Sequence, residues 1–383
     1  MIMGGDDMKS IIIIAFSSEL DKVLKVIRHD NVVIKCIISC PTNDLSKIMS
    51  DNDVDCNVVM YDELPEIMKN TYFDYVVISD MKKTAGEKRR IVDDCKQAGC
   101  LNEQIIDITD FYSLDTLPLY SIIRSYLDDE FEAEFFITGV SHAYAGTDMG
   151  CYSKIGLNLA YTSQDLFLDF ELAKLVTQKV KKLKYAIIGV APFSIHYDLS
   201  QSINSYRMML YFPIIKTLHH LCIKENELKE IFNEVYFESF EMFDSEQIYK
   251  KRLSCASCNK NITIDDYLAF RNNLRFWDDK YYPDTASENK RILNSYVEHC
   301  ISKEIQPSLV IFPVSRWYNK FFSKKKFEEV REYCQCLADK HNIKFYDLSC
   351  DSRFNDSDFF DVEHLNINGA HKVSKILSEM ILL

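Results

Sequence analysis

Four consecutive isoleucines at positions 11–14 set the first constraint on how this chain can fold. A continuous β-branched run with no polar alternation suits a strand buried on both faces, which means a parallel sheet covered by helices. Residues 18–29 follow with Leu20, Val23, Leu24, Val26 and Ile27 at helical spacing, and Ser18 stands where an N-cap belongs. The rhythm continues with strands expected at 32–39, 57–61, 72–79 and 104–109, and helices near 45–49 and over 87–98. Residues 1–115 therefore read as a small, open, Rossmann-like α/β sheet. Its first turn, Ala15-Phe16-Ser17-Ser18, lacks the glycines that let a pyrophosphate approach the backbone. Two uses stay open for this domain: nucleotide binding, or a docking or regulatory role.

A second α/β series fills residues 116–383. The segment 112–127 is apolar, broken by Pro118, and bridges the halves; 128–134 is acidic and exposed in character. Strands are expected at 135–139, 154–160, 185–190, 309–314 and 344–347, and helices over 164–183, 288–305, 327–341 and 370–382. About 115 residues separate two of these strands, too many for a plain connection. An insertion at about 195–285, forming a cap or side wall, accounts for them.

Composition narrows the function classes. Of 383 residues, 45 are Lys or Arg against 58 Asp or Glu, a net charge of −13, which disfavours nucleic acid or an anionic membrane as a partner. No stretch has the length and apolarity of a membrane span, so no stable membrane insertion is expected. Thirteen cysteines, an odd number scattered through apolar runs, fit reduced thiols and a cytoplasmic location. Cys255-x-x-Cys258 has half a zinc-knuckle spacing but no second pair to complete four ligands, so neither a metal nor a cofactor is expected. The paired His219-His220 and the basic clusters 181–184 and 324–326 read as ordinary side chains on helices and solvated faces.

Two segments carry chemistry. Asp361-Val362-Glu363-His364-Leu365-Asn366 precedes the last helix, and at this spacing Asp361 can accept from His364 Nδ1 and leave Nε2 as a base. The other is an apolar strand running into Gly139-Val140-Ser141-His142, where Gly139 permits a tight turn and Ser141 reaches the carboxyl edge of the sheet. Open α/β folds place ligands at that edge. Taken singly, Ser141 also reads as a helix N-cap, Asp361 as a capping residue and His364 as a surface histidine. Together they form a nucleophile with its base and orienting carboxylate.

That combination resembles the SGNH (GDSL-type) hydrolase superfamily over about residues 135–383. The ending Asp361-x-x-His364-Leu365-Asn366-x-x-Gly369-Ala370 is similar to the branch holding the D-alanyl-lipoteichoic acid biosynthesis protein and sugar O-acetyl-transferring or esterase relatives. The resemblance implies a three-layer α/β/α domain and acyl transfer through Ser141, with Asp361 and His364 as its partners. An oxyanion hole follows from it, built of the Ser141 N–H and the side chain of Asn158. Where the family shows Gly-Asp-Ser and Gly-x-Asn-Asp, this chain has Gly139-Val140-Ser141 and Pro192-Phe193-Ser194-Ile195-His196. Gly139, His142, Gln164, Ser194, His196 and Arg316 are the further residues expected to line the site, with Arg316-Trp317-Tyr318 suited to stacking on a sugar. The implied substrate is a carbohydrate or another acylated small molecule. Two rival readings are a catalytically silent glycan-binding or scaffold domain, and a transferase whose donor sits on the N-terminal domain. A histidine base predicts a rate that falls on the acid side near the ordinary imidazole pKa of about 6.5.

Overall fold

The structure is a computed structural model that describes residues 8–15, 20–39, 45–78, 85–107, 132–202, 205–215, 217–221, 262–278 and 283–382. Several sequence expectations lie outside these residues: the first turn with Ser18, the bridge at 112–127, and the Cys255/Cys258 pair. The chain divides into two compact units, Met1–Ile122 with Ile203–Phe243, and Ile123–Ser202 with Asp244–Leu383.

The first unit holds five parallel strands: β1 (Lys9–Ile14), β2 (Val32–Ser39), β3 (Asn57–Met60), β4 (Tyr75–Ile78) and β5 (Ile105–Asp107), in the order β3-β2-β1-β4-β5. That order is the one a Rossmann-like sheet has. Helices α1 (Leu20–Val26), α2 (Ser46–Asp51), α3 (Leu64–Asn70) and α4 (Ala85–Gln97) connect the strands. The isoleucine run is the central strand, with Ile11–Ile14 all fully buried, as a strand covered on both faces requires. Ile12 and Ile14 pack in one cluster with Leu64 and Met68 of α3 and Ile91, Val92 and Cys95 of α4. Each aliphatic side chain of this kind contributes about 1.5–3 kcal/mol by leaving water. Burial also pushes the Cys95 thiol up to about 12, so it packs as an inert apolar group. The sequence pattern did not reveal α3, whose Pro65 sits at the first helical turn, where a missing N–H costs nothing.

The second unit holds β6 (Phe135–Thr138), β7 (Gly156–Asn158), β8 (Tyr185–Gly189), β9 (Gln306–Ile311) and β10 (Lys344–Asp347), all parallel, in the order β10-β9-β8-β6-β7. Numbered from β6, this is the 2-1-3-4-5 order of doubly wound sheets, and its switch point lies between β6 and β8. Among the described residues its helices are α5 (Ser141–Ala145), α6 (Leu166–Lys179), α7 (Ile264–Asp278), α8 (Pro283–Ser302), α9 (Arg316–Phe321), α10 (Lys324–His341) and α11 (Ile367–Ile381). Every residue of β6 is buried, as a central strand covered on both faces must be.

Two strands shift from their expected positions. The strand expected at 309–314 begins at Gln306. Pro307 pairs with Ala186 of β8, while the ladder to β10 starts at Ser308. A proline is tolerated there because the ladder to β10 does not ask for its N–H. The strand expected at 154–160 is only Gly156–Asn158, although the Leu159 N–H beyond it still donates to the Ile137 carbonyl at 2.8 Å.

The expected insertion does not behave as one block. Of its described residues, 205–215 and 217–221 belong to the first unit. Residues 195–202, α7 and the start of α8 belong to the second, where Asn289 Nδ2 donates to the carbonyls of Ser194, Ile195 and Tyr197 at 2.8–3.2 Å.

Candidate functional site

The turn after β6 needs glycine. Gly139 has φ +137°, and a Cβ there would lie 2.8 Å from both the Gly189 carbonyl oxygen and Ala143 Cβ. Its N–H donates to Asp169 Oδ1 at 2.9 Å, and the same oxygen accepts from Gln164 Nε2 at 2.5 Å. Asp169 is buried, and that burial pushes its carboxyl well above the usual carboxylate range. This network sets the chain turning into α5 with Ser141 as its first residue. The leading N–H groups of a helix have no intrahelical partner, and the Ser141 N–H is one of them. Ser141 therefore stands at the carboxyl edge of β6, beside the switch point.

Asn158 ends the neighbouring strand, where it pairs with Ile137. Its Oδ1 is engaged by the Ala160 N–H, while Nδ2 is buried with no hydrogen-bond partner among the described residues. A buried amide donor left open in this way is what an oxyanion or a ligand carbonyl would take up.

The segment before α11 is a short hairpin. Phe359 bridges Leu365, and the Phe360 N–H donates to the His364 carbonyl at 2.9 Å. Asn366, fully buried, caps α11 by accepting from the N–H groups of Asn368 and Gly369. A Cβ at Gly369 would lie 2.3 Å from the Asp358 carbonyl oxygen, so the Asn-x-x-Gly spacing is set by close packing. Within the hairpin, Asp361 Oδ1 accepts the N–H groups of Glu363 and His364 at 2.9 and 2.8 Å, and Oδ2 lies 2.8 Å from His364 Nδ1. Ser315, at the start of α9, donates from Oγ to the Val362 carbonyl at 2.6 Å and ties the hairpin to the edge of β9.

Glu363, which sequence reasoning did not single out, turns inward. It is 7% exposed, with Oε1 3.6 Å from His364 Nε2 and Oε2 3.8 Å from His142 Nε2. The His142 ring, 3% exposed, meets the His364 ring edge-on at 5.7 Å and is boxed by Phe193 and Tyr318. The only sequence signal was an extra carboxylate inside the Asp-x-x-His motif. Burial by itself would lower the His364 pKa, but the carboxylates of Asp361 and Glu363 outweigh it and push the imidazole up to about 9. The Asp361 carboxyl, which burial alone would raise, is held below its ordinary range by the His364 charge and its hydrogen bonds. The expected acid limb near 6.5 therefore moves upward.

Three other expected site residues are occupied elsewhere. Gln164, 1% exposed, spends its amide nitrogen on the Leu159 carbonyl and Asp169. Ser194 Oγ accepts the Ala191 N–H at 2.9 Å, and His196 Nε2 lies 2.9 Å from Glu329 Oε2, so both stabilise the loop after β8. Arg316 is exposed and paired with Asp356 at 2.7 Å. With Lys320, Lys324, Phe354 and Phe359 it lines an open cavity of about 650 Å³ at the carboxyl edge of β9 and β10. Tyr318, expected beside it as a stacking surface, is instead fully buried with its ring edge-on to His142.

No protein-family model matches the chain, and no curated protein matches it. Among solved structures, it is similar to scyllo-inositol dehydrogenase from Lactobacillus casei with bound NAD(H) and scyllo-inositol, at 12% identity and a TM-score of 0.21. That match spans 44% of this chain and 56% of the dehydrogenase. Among the described residues, no helix is long and apolar enough to cross a membrane.

Proposed function

We propose that the second unit is an SGNH-like domain that transfers an acyl group through Ser141, as an ester hydrolase or an O-acyltransferase. One observation carries the reading: His364 Nδ1 is engaged by Asp361 at 2.8 Å, while Nε2 is buried with no hydrogen-bond partner among the described residues. This is the arrangement that fixes an imidazole tautomer and leaves the other nitrogen to move a proton.

In the first step the Ser141 oxygen attacks the acyl carbonyl carbon, and His364 Nε2 takes its proton. The tetrahedral oxyanion is met by the Ser141 N–H and Asn158 Nδ2. His364 then returns the proton to the leaving alcohol as the ester C–O bond breaks, giving acyl-Ser141. Water or a sugar hydroxyl, deprotonated by the same nitrogen, attacks the acyl-enzyme and releases the acid or the new ester. Asp361 holds the imidazole and stabilises its charged form. A carbohydrate as acceptor or ester substrate rests on the family resemblance.

A panel of activated acyl esters and acetylated sugars tests the reading. Release of alcohol by the wild type, and its loss in Ser141→Ala with the fold intact, are expected. Turnover that survives Ser141→Ala would refute the serine mechanism.

A further inference from the structure

His142, Glu363 and His364 form a group that acyl transfer does not account for. One ligand atom from each lies within 4.8 Å of the others. Glu363 Oε2, His364 Nε2 and both ring nitrogens of His142 are buried without a hydrogen-bond partner among the described residues. Leaving a buried polar atom unpaired costs about 1–3 kcal/mol, and here such atoms lie on three side chains that face one another. The Glu363 carboxylate faces both rings, at 3.6 Å from His364 Nε2 and 3.8 Å from His142 Nε2. Zinc bonds of about 2.0–2.2 Å in a tetrahedron place ligand atoms about 3.3–3.6 Å apart, so small side-chain movements would close the set. Two imidazoles and one carboxylate favour zinc, cobalt or ferrous iron over the harder magnesium and calcium. The group of Asp148, Cys151 and His371 in this unit differs, since exposed His371 already meets Asp148 at 2.6 Å.

We propose that His142, Glu363 and His364 bind one divalent transition metal, and that the metal and Ser141 compete for His364 Nε2. The competition rests on the acyl-transfer reading; the metal site does not. Because the nitrogen that would accept the Ser141 proton is also a ligand, the metal-bound protein is the inhibited form and metal removal restores the base.

The test titrates chelator-treated full-length protein with cobalt(II), followed by its visible spectrum, and with zinc chloride by calorimetry. Wild type and Ser141→Ala are expected to bind one equivalent with a tetrahedral cobalt spectrum. His142→Ala and the near-isosteric Glu363→Gln are expected to weaken binding by more than about 100-fold, beyond the loss of an outer hydrogen-bond partner. No bound equivalent, or one insensitive to both substitutions, overturns the site. In parallel, zinc is expected to slow fluorophosphonate labelling of Ser141, and chelator to restore it. Labelling unchanged in the metal-loaded protein overturns the competition. Absence of labelling in metal-free protein overturns the acyl-transfer reading instead, and the cobalt titration still decides the metal site.

Discussion

Asp361 engages His364 with both ends of its carboxylate: Oδ2 lies 2.8 Å from the ring Nδ1, and Oδ1 accepts the His364 backbone N–H at 2.8 Å. The ring and the chain that carries it are thereby held by one group. Asp361→Asn keeps the shape but permits the wrong tautomer, with Nε2 protonated and useless as a base. Ester turnover is expected to fall about 10³–10⁴-fold with little change in KM. A loss below about tenfold, measured on folded protein, would show that Asp361 does not orient the base.

The pH dependence follows from the same group. The His364 pKa lies at about 9 against an ordinary 6.5, so at neutral pH the ring is mostly imidazolium and the basic form appears as pH rises towards 9. The labelling rate of Ser141 in metal-free protein is therefore expected to climb from about pH 6 to about pH 9. Glu363→Gln removes one of the raising charges and is expected to move that limb to lower pH. The stability linkage has the opposite sense: because the folded pKa is raised, the contribution is complete below about 6.5 and lost as pH passes 9. A melting temperature followed across that window checks it.

Gly139 offers a test of the turn that leads into Ser141. Alanine there must hold φ near +137° and place a Cβ 2.8 Å from the Gly189 carbonyl oxygen. Gly139→Ala is expected to cost at least about 1–3 kcal/mol from backbone strain alone, read by chemical denaturation, and to abolish labelling of Ser141. A variant of wild-type stability would mean that the turn can relax.

Arg316 and its partner Asp356 sit at the surface, where such pairs contribute about 0–1 kcal/mol. Arg316→Ala is expected to leave the melting temperature nearly unchanged and to raise KM for a sugar ester without lowering kcat. A fall in kcat at constant KM would remove Arg316 from substrate binding.

Much of the fold was legible because parallel strands are continuous apolar runs. Ile11–Ile14 and Phe135–Thr138 read as strands from their unbroken apolar runs, and several of the helices between strands followed from 3.6-residue spacing. The strand order was not legible. Phe136 and Ala186 stand side by side on β6 and β8, yet the connection between them first passes through β7 and α6. Periodicity reports which face of an element is buried, and it carries no information about which distant element covers it.

The site was legible where chemistry depends on short spacing. Asp361 and His364 share one hairpin, so three residues of sequence were enough to pair them. Ser194, His196 and Gln164 were chosen for lying near strand ends, but proximity to the sheet edge does not say whether a polar group faces a ligand or a protein partner. All three are engaged by protein groups. Glu363 was hidden for the converse reason. A glutamate beside a histidine reads as solvated, and only the hairpin closed by Phe359 and Leu365 turns it towards His142.

The most direct measurement is fluorophosphonate labelling of the metal-free protein, mapped by intact mass and peptide sequencing. A single adduct on Ser141 that disappears in His364→Ala is the predicted result. Folded protein that takes up no adduct, or takes it up at Ser141 equally well without His364, would contradict a serine activated by that histidine.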